Sequence, residues 1–440
     1  MKFISARSAL SAGVVTVASV ALLAAPGAAL AKTEACKGTN TKGQGSSLQA
    51  EAQAVWVPGF EGTGKGECGG KPKIEEYKTT SSGKGYAAWE SKHEYGTYGF
   101  IGSDNTVNAA EKTIIEGQAV GKTSEMLTIP VLQGAVAIVV NMPTGCTAES
   151  TIAKGRLALD QSTLEGIYAG KITKWNELGK VEGAGNTLTG GASCEVPIIP
   201  VVREDGSGTT HIFKKFLNLT DSKTSFEYEA GKSATWSELA EGSLSTKWPL
   251  VANVTKATSS GGPGLLKTVA ATPGSIGYAN LADARNSANG GFTGQSPSRF
   301  WVELESSSKA GGKGVKRKYQ DPATNGDEAK SGEANCKKTA FSNGVGSFPP
   351  PKATAAWNEV TASGQSKTYA LCGLTYDFAL TDYEAYASFG ATAEEAATVK
   401  EYLGYEVAKK GGAAAIIGHD YAPLPKALVT IADEGISSIS

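Results

Sequence analysis

The chain has 440 residues and its charges nearly cancel, with 42 Lys and Arg against 43 Asp and Glu. That length suits two or three domains. The balance excludes a global attraction to nucleic acid or to an anionic membrane, so any anion recognition must come from local geometry.

Lys2 and Arg7 open the chain, an apolar run spans Leu10 to Leu23, and Pro26 precedes Ala29-Leu30-Ala31. This order predicts a secretory signal peptide, residues 1–31, cut after Ala31. The run is too short for a membrane span, and no second long apolar run follows. Thr33-Glu34-Ala35 before Cys36 is not the small-residue box of a lipid-anchored protein, so a released soluble chain is expected. Six cysteines, none at CxxC spacing, fit disulfides in an exported protein better than a metal centre. Pairing of chain neighbours, Cys36–Cys68, Cys146–Cys194 and Cys336–Cys372, is one choice among the roughly 15 that six cysteines permit.

Gly43-Gln44-Gly45-Ser46-Ser47-Leu48 is a small-residue loop before a predicted helix that includes Val55 and Trp56. Gly59 to Lys73 is Gly- and charge-rich and reads as an insertion. Tyr77 to Gly85 and Phe100 to Asp104 are two further loops rich in hydroxyls or small residues. Gly117 to Thr123 looks like a P-loop but is one residue short between its glycines. Val136 to Val140 is a buried-strand run, Ser162 to Ala169 a helix, and Ile198 to Val202 another strand. Gly274 to Tyr278 reads as a short strand. Glu303 to Gly346 is dominated by Ser, Gly, Lys, Asn and Asp and reads as an inserted, solvated loop, with a small basic cluster at Lys316-Arg317-Lys318. Tyr369 to Leu380 predicts a strand pair. Ala393 to Lys410 predicts a helix with Val399, Leu403 and Val407 on one stripe, ended by Gly411-Gly412. Strands alternating with helices give an α/β class.

Arg203-Glu204-Asp205-Gly206-Ser207-Gly208-Thr209-Thr210 carries the most chemistry. It follows a strand and opens a segment with helical spacing at Ile212, Phe213, Phe216 and Leu217. A Ser-Gly-Thr turn at a helix start leaves backbone N–H groups pointed at one place. The helix dipole adds partial positive charge there, and Arg203 adds a full charge with a two-pronged donor. Together these make an oxyanion site. Ser207 and His211 with an Asp would suggest a hydrolase, but Gly-Ser-Gly-Thr is not a nucleophile elbow, and no metal or triad spacing supports His93, His211 or His419. No catalytic residue and no metal ligand is assigned.

The loops at Gly45-Ser46-Ser47-Leu48, Ser82-Gly83-Lys84-Gly85 and Gly102-Ser103-Asp104, the stretch Gly166 to Asn176, the Arg203 to Thr209 motif, Lys247-Trp248-Pro249, Gly274 to Tyr278 and Tyr421 to Pro425 occur in a fixed order. In these segments the chain resembles the phosphate-binding proteins of bacterial phosphate ABC importers, over roughly residues 40 to 285 and 345 to 440. The resemblance implies a two-lobed periplasmic-binding-protein-like fold of type II, with two mixed-sheet domains joined by two crossing strands. Domain one would be residues 32–130 plus 282–440 with an insertion at 303–346, and domain two 131–281, with hinges near 131–140 and 274–280. It implies a phosphate ligand bound by Ser47 and Leu48 through backbone N–H, Ser82 through its hydroxyl, Arg203, Ser207, Gly208 and Thr209. Asp104 would accept a hydrogen bond from a protonated phosphate oxygen and reject sulfate, since an ionised carboxylate only accepts. Asp205 would orient Arg203. The implied partners are inorganic phosphate and ABC permease subunits, without nucleic acid, and a monomer is expected. A binder of another oxyanion, an adhesion or matrix protein, and a phosphatase-like enzyme on the same fold are the alternatives.

Overall fold

The computed structural model describes residues 38–61, 72–153, 155–180, 184–249, 254–294, 296–306, 318–324, 332–344, 346–363 and 368–440. The expected leader, Cys36, Cys68, Lys316 and Arg317 lie outside them.

The main sheet is built from β1 (Thr41–Gly45), β2 (Ile74–Thr79), β3 (Phe100–Ser103), β4 (Met126–Asn141), β5 (Ile199–Val202), β6 (Thr255–Lys256), β7 (Ser275–Asn280), β8 (Arg299–Trp301), β9 (Cys372–Leu380) and β10 (Tyr421–Ala422). The order is β6-β5-β7-β4-β9-β3-β1-β2, with β8 and β10 also pairing with β4. β1 runs parallel to β2 and β3, and β5 runs parallel to β6 and β7. β4 joins these groups. Its residues 126 to 135 pair antiparallel with β9, and its residues 136 to 141 pair antiparallel with β7. All sixteen of its residues are buried. The expected class, α/β with mixed sheets in two lobes, is the architecture found.

Pro130 lies inside β4 and has no N–H to give the ladder. The register against β9 shifts there, Thr375 facing Leu132 and Tyr376 facing Pro130. This bulge fixes which face Thr375 presents.

The helices that matter for the site are α1 (Ala50–Glu61), α2 (Ser82–Glu90), α3 (Gln161–Tyr168), α4 (Gly208–Thr220), α5 (Gly261–Ala271) and α6 (Ala393–Val407). α2 is capped by Ser81 and α4 by Ser207. α6 buries Val399, Leu403 and Val407 as the stripe predicts, but it stops at Val407, before Lys410. Residues 369 to 380 supply one strand, β9, rather than a pair. The long edge of β4 offers partners to a single nine-residue strand and leaves no hairpin to form.

Disulfides join Cys146 to Cys194 and Cys336 to Cys372. Around the second of these, parts of the 303–346 stretch are ordered structure and not a solvated loop. Glu303–Glu305 pairs with Ala158–Leu159 and with Tyr319–Gln320. Leu304, Ala334 and Cys336 are fully buried, and Arg156 bonds Asp321 at 2.8 Å. A polar composition therefore hid a few well-placed apolar anchors.

Candidate functional site

Strands from both parallel groups end at one place. β1 ends at Gly45, β3 at Ser103 and β5 at Val202, and the loops after them meet, the usual location of a ligand crevice in such sheets. Helix starts border the same place. Ser46 to Gln49 after β1 precedes α1, Ser81 after β2 caps α2 and Ser207 after β5 caps α4, so unpaired N–H groups and positive helix ends face a common point.

Asp104 sits at the centre, 4% exposed. Its Oδ1 accepts from the Ser46 hydroxyl and from Thr375 Oγ1 at 3.2 Å. Its Oδ2 accepts from Thr209 Oγ1 at 3.0 Å. Ser82 Oγ accepts two backbone N–H groups, from Asp104 at 3.1 Å and from Gly208 at 3.3 Å. Both acceptor positions of that hydroxyl are therefore filled, and its own proton is left to donate. Burial raises the Asp104 carboxyl above the usual carboxylate range, and the hydroxyls of Ser46, Thr209 and Thr375 and the charge of Arg203 partly offset it.

Gly208 lets this happen. A Cβ on it would stand 2.7 Å from the Asp104 carbonyl carbon, the Asp104 Cβ and the Ser82 hydroxyl. Only a residue without a side chain allows the start of α4 so close to the loop after β3.

Arg203 is held by Asp205 through two parallel bonds, Nε to Oδ1 at 2.7 Å and Nη2 to Oδ2 at 2.6 Å. Both side chains are 2% exposed. Burial alone would lower the guanidinium's proton affinity, but the Asp205 carboxylate keeps it raised. Burial likewise pushes Asp205 up, yet Arg203 and the Gly261 amide hold it below the usual range. The Tyr278 hydroxyl from β7 accepts the Arg203 N–H at 3.3 Å and shares a bond with Thr210 Oγ1 at 2.7 Å. It ties the arginine's loop to the first turn of α4.

On the other wall, Ser47 Oγ accepts the Gly262 N–H at 3.1 Å. The Leu48 carbonyl takes the Asn280 amide at 3.1 Å and the Tyr421 hydroxyl at 2.7 Å. The Leu48 N–H goes to Ser46 Oγ at 3.0 Å. At the rim, Lys84 Nζ reaches Ser260 Oγ at 3.2 Å, and Ser260 in turn donates to Glu204.

Ser47, Leu48, Ser82, Asp104, Arg203, Asp205, Ser207, Gly208 and Thr209 thus share one buried locality. Ser207 Oγ accepts the Thr210 N–H at 3.2 Å, and its own proton finds no acceptor among the described residues. Ser46 and Thr375 belong to the same constellation without having been singled out. His211 lines a neighbouring cavity with Lys215, Trp357 and Asn358, and its Nδ1 is buried without a partner among the described residues. Burial first, then Lys215 and Lys214, press its imidazole down to about 3.

Among the described residues no helix is long and apolar enough to cross a membrane. A family model described as a PBP superfamily domain matches residues 30–329. The phosphate-binding protein PstS of Pasteurella multocida is 33% identical over 162 residues, 37% of this chain and 39% of that protein. The phosphate-binding protein PstS of Xylella fastidiosa strain Temecula1 is 26% identical over 302 residues, 69% of this chain and 68% of that protein. The chain thus spans between about two fifths and two thirds of the length of these curated relatives. A solved phosphate-binding protein from Stenotrophomonas maltophilia has the same fold, with a TM-score of 0.58 at 20% identity over 90% of this chain and 93% of that one.

Proposed function

The chain belongs to the PBP superfamily, and from that premise we propose that it is an exported receptor that captures inorganic phosphate between its lobes and delivers it to an ABC permease. The observation that carries this reading is the convergence of Asp104, Ser82, Arg203 and Thr209, brought from both strand groups to one buried locality. The donors are fixed before the ligand arrives: hydroxyl protons of Ser82 and Ser207, the guanidinium of Arg203, and amides at the starts of α1 and α4 other than those of Leu48, Gly208 and Thr210, which serve Ser46, Ser82 and Ser207. In a dry cleft such bonds are stronger than in water. Arg203 is already neutralised by Asp205, so dipolar donors hold much of the ligand's charge. Asp104 selects for a ligand that still carries a proton, because a fully deprotonated tetrahedral anion would meet an acceptor-only group. The names of the PstS relatives support phosphate as the ligand.

Ser47, Leu48, Ser82, Asp104, Arg203, Ser207, Gly208 and Thr209 form the proposed shell, with Asp205 as orienter and with Ser46 and Thr375 added as supports of Asp104. The lobes divide along β4, with hinges at 131–140 and 274–280. We assign the 299–305 stretch to the second lobe because it pairs with residues 139 to 141 and 158 to 159. The protein works as a monomer outside the cytoplasmic membrane after cleavage near Ala31, with the permease subunits as partners and no catalysis. Burial lowers the proton affinity of His211, and its ring lines the neighbouring cavity with Lys215, Trp357 and Asn358.

Calorimetric titration of the mature protein with phosphate and with sulfate tests this. Phosphate should bind far more tightly than sulfate. No heat with phosphate, or equal affinity for both anions, overturns it.

A further inference from the structure

One carboxyl group at this site has no role in the reading above. Asp283 lies on the short helix Leu281–Arg285 that follows β7 and is 2% exposed. Its Oδ2 is buried without a hydrogen-bond partner among the described residues. A Cβ on Gly262 would stand 2.4 Å from that oxygen, so the carboxyl group presses on the first turn of α5. That same turn gives its Gly262 N–H to Ser47 and its Gly261 N–H to Asp205, the latter at 3.3 Å. Asp283 is thus one residue's width from both walls of the anion site.

The charged and titratable groups that act on it are Glu51 from α1, Arg203 from the loop after β5, Asp104 from the loop after β3 and the Tyr421 hydroxyl from β10. Two are acidic and one is basic, and that one is already matched by Asp205. Asp104 accepts three hydroxyls, and Asp205 accepts a guanidinium and an amide. An ionised Asp283 would be a buried charge with no counterion of its own among the described residues and no donor at Oδ2. A neutral carboxyl group has an O–H to offer instead.

We propose that Asp283 is an uncharged acid in the closed site, so that closing on phosphate takes up one proton at this residue. This rests on the phosphate reading and adds to it a second proton-dependent group. Burial, then Glu51, hold the carboxyl well above its usual range, with Arg203 opposing and Asp104 reinforcing. The step is a carboxylate plus a proton from solvent giving a carboxylic acid. No bond to phosphorus forms or breaks, and the proton returns to solvent on opening. The closed-state proton affinity is the higher one. Affinity therefore falls as pH rises from the ordinary carboxylate range to the raised value, by up to about tenfold per pH unit for one proton.

The test is titration of the mature protein and of Asp283→Asn with potassium phosphate, in two buffers of different ionisation enthalpy, from pH 6 to 8. Phosphate's own ionisation is common to both proteins and cancels in the comparison. Wild type should take up more protons per phosphate than Asp283→Asn, approaching one, and the variant's affinity should fall less steeply with pH. Equal proton counts with phosphate still bound overturn this inference and leave the phosphate reading standing; no phosphate binding to wild type overturns both. If Asp283→Asn fails to fold, infrared difference spectra of wild type decide. A new carboxylic-acid carbonyl band on phosphate addition supports the proposal, and its absence overturns it.

Discussion

Gly208→Ala separates closure from folding. The added Cβ would lie 2.7 Å from Asp104 backbone and side-chain carbons and from Ser82 Oγ, whereas ordinary contact begins near 3.4 Å. The start of α4 must therefore retreat by about 0.7 Å from the loop after β3. Thr209 Oγ1 now sits 3.0 Å from Asp104 Oδ2, and the same retreat stretches this to about 3.7 Å, outside hydrogen-bond range. The proposed shell then loses that bond and the ligand contacts of one wall. At about 1.5–3 kcal/mol for each bond to a charged group, two such losses come to about 3–6 kcal/mol, or roughly two to four decades of affinity. Alanine is the better helix former by up to about 1 kcal/mol, so the unliganded protein should melt no lower than wild type. Phosphate titration with a parallel melting curve is the assay. Gly83→Ala is the comparator, since its Cβ would stand 3.3 Å from the Gly206 carbonyl oxygen, a contact that small adjustments relieve. A Gly208→Ala protein that binds phosphate within about threefold of wild type would refute the idea that this close approach governs closure.

Asp104→Asn should weaken phosphate binding by roughly 10- to 100-fold while narrowing the gap to sulfate, because an amide both donates and accepts; competition titration reads both numbers. Asp205→Ala leaves Arg203 as a buried cation without its carboxylate, so the unliganded melting temperature should drop by an amount corresponding to about 3–5 kcal/mol. Phosphate, which supplies negative charge, should then raise it by more than it does in wild type. His211 is buried as neutral imidazole, its proton affinity lowered from near 6.5 to about 3. The unfolded chain therefore binds the extra proton between those values, and stability is complete above pH 6.5 and is lost as pH falls toward 3. The loss is at most about 5 kcal/mol. Chemical denaturation of His211→Asn across that range should show a flatter acid limb than wild type.

Much of the candidate site's assembly was legible because the residues that meet there lie where patterns change. Asp104 and the Ser207-Gly208-Thr209 turn each follow an apolar strand, and Ser82 and Ser207 stand at helix starts, where unpaired amides arise. The Arg203–Asp205 pairing was within reach for the same reason, being two residues apart on one turn. Thr375 was not. It is a mid-strand residue 271 positions from Asp104, and only the β4–β9 bulge aims it. Asp283 left no mark either, since an acidic residue in a five-residue helix reads as surface until Gly262 and Glu51 are packed around it. The error at residues 369 to 380 has a related cause. A continuous apolar run cannot say whether it folds back on itself or lies along a longer neighbour. The ordered parts of 303–346 went unseen because two or three buried anchors suffice to fix a polar stretch once a disulfide and a strand edge are available.

β4 has a further consequence for dissecting the molecule. A single uninterrupted strand supplies ladder partners to β9 along one part and to β7 along the other. Neither half can be excised with its sheet intact. A fragment ending before Val136 would keep residues 126 to 135 of β4 but lose their β9 partner, and one beginning there would carry β9 with that edge unpaired. Exposed edges of that kind recruit other chains. Isolated halves should therefore aggregate rather than fold, and mixing of sequence between relatives is better tolerated at the surface turns than anywhere along this strand.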